Sequence, residues 1–74
     1  MRLIGFQWSP RSHELKDFLS GYMVGYQWLD FETNPEAQKL LAAKGLASTD
    51  LPVVVFPDGS SLGKPTLTAV AARL

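Results

Sequence analysis

From Leu3 to Trp8 apolar side chains fall on both faces of an extended segment, as in a strand covered by helices on either side. Ser9 then offers an N-cap and Pro10 suits a first helical position, so a helix is expected to begin there. Leu15, Phe18, Leu19 and Tyr22 recur at i, i+3, i+4 and i+7 and define its buried stripe. Gly21 stands where that helix should stop. Tyr26 to Phe31 reads as a second strand, with Gln27 and Asp30 as polar breaks. Thr33-Asn34-Pro35-Glu36 carries the signals of another helix start. That helix should bury Ala37, Leu40 and Leu41, turn Gln38 and Lys39 to solvent, and end at Gly45.

A polar loop, Ala47 to Asp50, leads into a third strand, Pro52 to Phe56. Pro57-Asp58-Gly59 is a turn signal, and a short strand around Ser60 to Leu62 completes a hairpin. Thr66 can cap a last helix whose Leu67, Val70, Ala71 and Leu74 share one side. The order is βαβ followed by ββα, and the first half calls for a parallel pair with a right-handed crossover.

At 74 residues the chain is one domain near the lower limit for folding without covalent staples. It has no cysteine, so no disulfide can help, and 46% hydrophobic content must supply the core. The lone His13 cannot build a zinc site. It reads as a solvated first-turn residue, and Glu14, Lys16 and Asp17 as an exposed helix face. Seven basic and seven acidic residues cancel and are scattered, which argues against nucleic acid as a partner. No apolar run approaches the ~20 residues of a membrane span, and the N-terminus lacks a signal-peptide core. A cytoplasmic location is expected. The last helix reaches Leu74 without a C-cap, so residues 1–74 are expected to be a fragment of, or an appendage to, a larger protein.

The turn Ser9-Pro10-Arg11-Ser12 is the first place to look for chemistry. A catalytic serine needs a base held by a third group, and His13 adjoins Ser12 on the same helix, so their side chains diverge. Two readings remain: an anion site built from first-turn N–H groups, hydroxyls and Arg11, and simple capping by Ser9 and Ser12, which is favoured because nearly every helix needs a cap. No catalytic residue and no metal ligand is assigned. Pro52 can be an ordinary strand-opening proline or a cis proline. Trp8, Trp28, Tyr22, Tyr26 and the phenylalanines are read mostly as core, with some on an interface.

The stretches W-S-P-R-S-H-E-L-K-D-F-L, Y-Q-W-L-D-F-E-T-N-P-E-A and D-L-P-V-V-V-F-P-D-G-S-S-L resemble the glutaredoxin branch of the thioredoxin superfamily. More closely, they resemble cysteine-free modules at the N-terminus of bacterial, especially actinobacterial, thioredoxin-reductase-like flavoproteins. The resemblance implies an α/β, thioredoxin-like fold: βαβ-ββα, a four-stranded mixed sheet with helices on both faces. It places Ser9 and Ser12 at the two redox cysteine positions, with Pro10 and Arg11 between them. Leu51-Pro52 matches the cis-proline dipeptide, and Thr66 lies near the helix start that holds the γ-glutamyl end of glutathione. Thiolate is the nucleophile of thiol–disulfide exchange, so serine at both positions removes that activity.

The implied function is a catalytically inactive docking or regulatory module of a thioredoxin-reductase-like flavoenzyme, with that flavoprotein as partner in cis or in trans. No cofactor is expected in this domain, and FAD and NADPH would belong to the parent flavoprotein. The alternative is a glutathione- or thiol-ligand-binding module of glutathione-transferase type, with Arg11, Leu51, Lys64 and Thr66 as ligand contacts.

Overall fold

The computed structural model describes residues 1–73, so the expectation for Leu74 lies outside the described residues. Four strands form one mixed sheet in the order β2-β1-β3-β4: β1 (Arg2–Gly5), β2 (Gln27–Asp30), β3 (Val53–Val55) and β4 (Ser61–Gly63). β1 runs parallel to β2 and antiparallel to β3, and β3 runs antiparallel to β4. Helix α1 (Pro10–Gly21) links the parallel pair, α2 (Pro35–Ala43) follows β2, and α3 (Leu67–Ala71) follows β4.

Register decides which side chain enters which layer. Leu3 pairs with Trp28 and Val54, and these face a cluster with Leu15 and Leu19 of α1 and Val70 of α3. Ile4 pairs with Leu29 and Val53, and these face Ala37 and Leu41 of α2. The sheet therefore carries α1 and α3 on one face and α2 on the other. Leu3, Ile4, Val53 and Val54 are fully buried, as the all-apolar reading of those strands requires. Among the described residues no helix is long and apolar enough to cross a membrane.

Both long helices begin where the sequence placed them, with Pro10 and Pro35 in the first turn. Asn34 caps α2 by accepting a hydrogen bond from the Glu36 N–H. Its far end closes on Gly45 at φ +69°, with Leu46 N–H donating to the Leu41 carbonyl and Gly45 N–H to that of Ala42. Thr66 caps α3 through Ala69 N–H at 3.1 Å.

Several boundaries depart from expectation. β1 ends at Gly5, not Trp8, because Ser9 N–H turns back to the Phe6 carbonyl at 3.1 Å. The polar loop before β3 contains a 3-10 turn, Ser48–Asp50, whose Asp50 carboxylate accepts from Ala47 N–H. β4 starts one residue late, because Ser60 is occupied by the turn: Phe56 N–H bonds its carbonyl, and its own N–H and hydroxyl donate to Asp58. α1 does end at Gly21, as expected, but the left-handed residue that closes it is not that glycine. The same six-residue closure falls two residues later, with Met23 in the left-handed region at φ +57° and Val24 N–H on the Leu19 carbonyl. Tyr22 consequently leaves the stripe and is exposed, resting against Phe18 at 4.7 Å between ring centroids. Leu67 of α3 is likewise exposed. Lys16 is half-buried rather than part of a solvated face, with its ammonium 3.7 Å from the Trp28 ring centre.

Candidate binding site at the head of α1

Three chain segments meet beyond the end of β1. Ser9 and Arg11 come from the start of α1, Leu51 and Pro52 from the entry to β3, and Lys64 from the exit of β4. They line a cavity of about 410 Å³. The antiparallel β3–β4 pair brings the second and third of these segments together, because Val53 lies opposite Gly63 and the residues flanking them stay adjacent. Lys64 N–H fixes the junction by donating to both the Asp50 and Pro52 carbonyls, at 3.0 and 2.8 Å. The Leu51–Pro52 peptide is cis, as the resemblance implied.

The structure brings together Ser9, Arg11, Leu51, Pro52 and Lys64, and leaves Ser12 and Thr66 out of the lining. Pro10 is the exposed first residue of α1. Ser12 points into the interior, where it is 1% exposed, and its hydroxyl has no hydrogen-bond partner. A Cβ built on Gly5 would overlap that hydroxyl, so α1 approaches β1 closely at this one point. Thr66 commits its hydroxyl oxygen to the α3 cap. Capping by the two serines is also corrected: Ser9 occupies the N-cap position with extended backbone, yet its side chain makes no cap bond, and Ser12 makes none either. The Ser9 hydroxyl and the uncapped first-turn donors are therefore left for another group.

The cavity thus presents two cations, one hydroxyl and an apolar wall from Leu51 and Pro52. No acidic side chain lines it. Arg11 is tethered by a hydrogen bond from Nη2 to the Pro65 carbonyl, 3.1 Å, which holds its guanidinium toward the β4–α3 connection. Leu51 N–H is already directed at the Ser48 carbonyl at 3.3 Å, so its backbone can offer a ligand only the carbonyl. Lys64 holds φ +45°, a left-handed conformation that costs a residue with a Cβ about 1–2 kcal/mol.

Trp8, read mostly with the core, directly precedes Ser9 and has 67% of its surface exposed, without lining the cavity. One face stacks on Phe6 (4.8 Å, 18°), and the indole N–H donates to Glu32 at 2.8 Å. Phe6 in turn meets Phe31 edge-on. The premature end of β1 was the missing signal: once the strand stops at Gly5, the alternation that would have buried Trp8 no longer applies. Among the described residues no cluster of His, Asp or Glu has the arrangement of a metal site. No protein-family model, curated protein or solved structure matches the chain.

Proposed function

We propose that this chain is a redox-inert, thioredoxin-like module that docks on a thioredoxin-reductase-type flavoprotein through the Ser9–Leu51–Lys64 cavity and the Trp8 ledge beside it. The observation that carries the reading is the placement of Ser9 in one cavity with Leu51 and Pro52, residues more than forty positions apart in sequence. In a glutaredoxin, the first redox cysteine and the cis-proline loop share such a cavity. The strand order, with parallel β1/β2 and antiparallel β3 and β4, supports the same assignment. Serine replaces thiol at both redox positions and the chain holds no cysteine elsewhere, so the retained surface binds and does not exchange disulfides. A bacterial cytoplasmic flavoenzyme is the partner that the sequence resemblance supplies. Trp8, exposed, braced on Phe6 and Glu32, and one residue before the cavity-lining Ser9, is the kind of rigid aromatic anchor that dominates protein interfaces.

Calorimetric titration with a thioredoxin-reductase-type flavoprotein from the same source tests the proposal. Saturable binding that weakens when Trp8 is replaced by Ala supports it, and absence of heat at every concentration removes it.

The presence of Arg11 and Lys64 without a facing carboxylate favours one further reading, a glutathione-binding module. In that case the tripeptide's carboxylates meet the two cations and its thiol meets the Ser9 hydroxyl. Amide shifts at Ser9, Leu51 and Lys64 on adding glutathione would establish it, and silence there would remove it.

A further inference from the structure

A second cavity, of about 360 Å³, lies at the other end of the sheet, where β1 starts and β3 finishes. Arg2 and Val55 pair across β1 and β3 on the face covered by α2, where Val55 is buried and Arg2 is exposed. The gap is walled by Leu40, Val55, Phe56 and Pro57, with Arg2 and Lys44 on its rim. No acidic side chain lines it. Asp58 belongs to the turn beside it, but its carboxylate is committed elsewhere, accepting from Ser60 N–H and hydroxyl and pairing with Arg73 at 3.4 Å. In a chain whose charges balance overall, this crevice is therefore one-signed.

The two cations are also held differently. Lys44 follows the end of α2, and its ammonium donates to the Gly59 carbonyl, which fixes it across the gap and leaves two donors free. The Arg2 side chain is exposed and makes no ion pair among the described residues, so its planar fork is open to a carboxylate. A polar rim of one charge above an apolar floor, in a volume of ligand size, has the anatomy of a small-molecule site. We propose that this crevice binds a small carboxylate bearing a short apolar chain, its head on Arg2 and Lys44 and its chain against Leu40, Val55 and Pro57.

Hexanoate is the probe, with hexanol and sulfate as controls that carry only the chain or only the charge, titrated into the ¹⁵N-labelled protein. Saturable amide shifts at Leu40, Lys44, Phe56 and Gly59 are expected with hexanoate, with hexanol and sulfate each at least about tenfold weaker. Arg2→Gln and Lys44→Gln, each still showing the native spectrum elsewhere, should weaken hexanoate about tenfold, as expected for loss of one charge-assisted hydrogen bond. Shifts that never saturate, that match those of hexanol, or that survive both substitutions overturn the proposal. Shifts centred instead on Ser9 and Lys64 overturn it too, and would place the carboxylate in the cavity at the head of α1.

Discussion

Ser12 and Gly5 are packed so that the Ser12 hydroxyl occupies the space where a Cβ on Gly5 would sit. The hydroxyl is buried there without a partner. At this contact α1 crosses β1, and it sets how far Ser9, three residues earlier, stands from the entry to β3.

An orphaned buried hydroxyl costs about 1–3 kcal/mol. Ser12→Ala is accordingly expected to raise stability by ~1 kcal/mol, a Tm increase of about 4–8 °C for a domain of this size. Gly5→Ala should lower it by about 1–3 kcal/mol, because Ser12 Cβ and the Trp28 ring lie only 3.3 Å from the added methyl. In the double variant the loss should be smaller than the sum, since the Ser12→Ala change removes the nearest obstacle, the hydroxyl oxygen. Denaturant titration of the four proteins gives the coupling directly.

Met23 and Lys64 both hold positive φ, at +57° and +45°, without being glycine. Replacing either with Gly relieves about 1–2 kcal/mol of left-handed backbone cost and gives back part of it to unfolded-chain entropy, a net gain of about 0.5–1 kcal/mol. The two should differ in function. Met23→Gly, at the far end of α1, should leave flavoprotein binding unchanged, whereas Lys64→Gly removes a cation from the cavity and should weaken it. Thermal melts and titrations of both variants check this. Equal binding by Lys64→Gly would show that the cavity is not the docking face.

Hydrogen bonds from the Ser60 hydroxyl and N–H, with a smaller contribution from Arg73, hold the Asp58 carboxyl below its ordinary value of 3.8. A depressed folded value means that the stability contributed is present above pH 3.8 and is lost as pH falls through the lower folded value. Asp58→Asn should therefore flatten the acid limb of the stability profile below about pH 4–5 and leave its neutral limb with the same slope. Urea unfolding across that range is the measurement.

Helix starts were legible in the sequence because their determinants are local. Pro10 and Asn34-Pro35 fix the first turns whatever packs above them. Helix ends were legible to within the last turn: α1 stops at Gly21 as read, but the left-handed residue that closes it is Met23, with Val24 N–H on the Leu19 carbonyl. The cavity at the head of α1 was legible through the glutaredoxin resemblance, which named Ser9, Arg11, Leu51, Pro52 and Lys64, residues the structure brings together. Ser12 was misplaced because facing the site and facing Gly5 differ by a rotation about the helix axis that spacing alone does not specify. The Arg2–Lys44 crevice was not legible at all, since it depends on how the β1 start, the α2 end and the Phe56–Gly59 turn come together.

The docking face is tested most directly by transverse-relaxation-optimised amide spectra of the labelled chain, recorded as unlabelled thioredoxin-reductase-type flavoprotein is added. Saturable broadening centred on Trp8, Ser9, Leu51 and Lys64, and sparing Met23 and Lys44, is the expected result. Broadening centred on another face, or none at saturating flavoprotein, would contradict the assignment of this cavity as the surface by which the module binds.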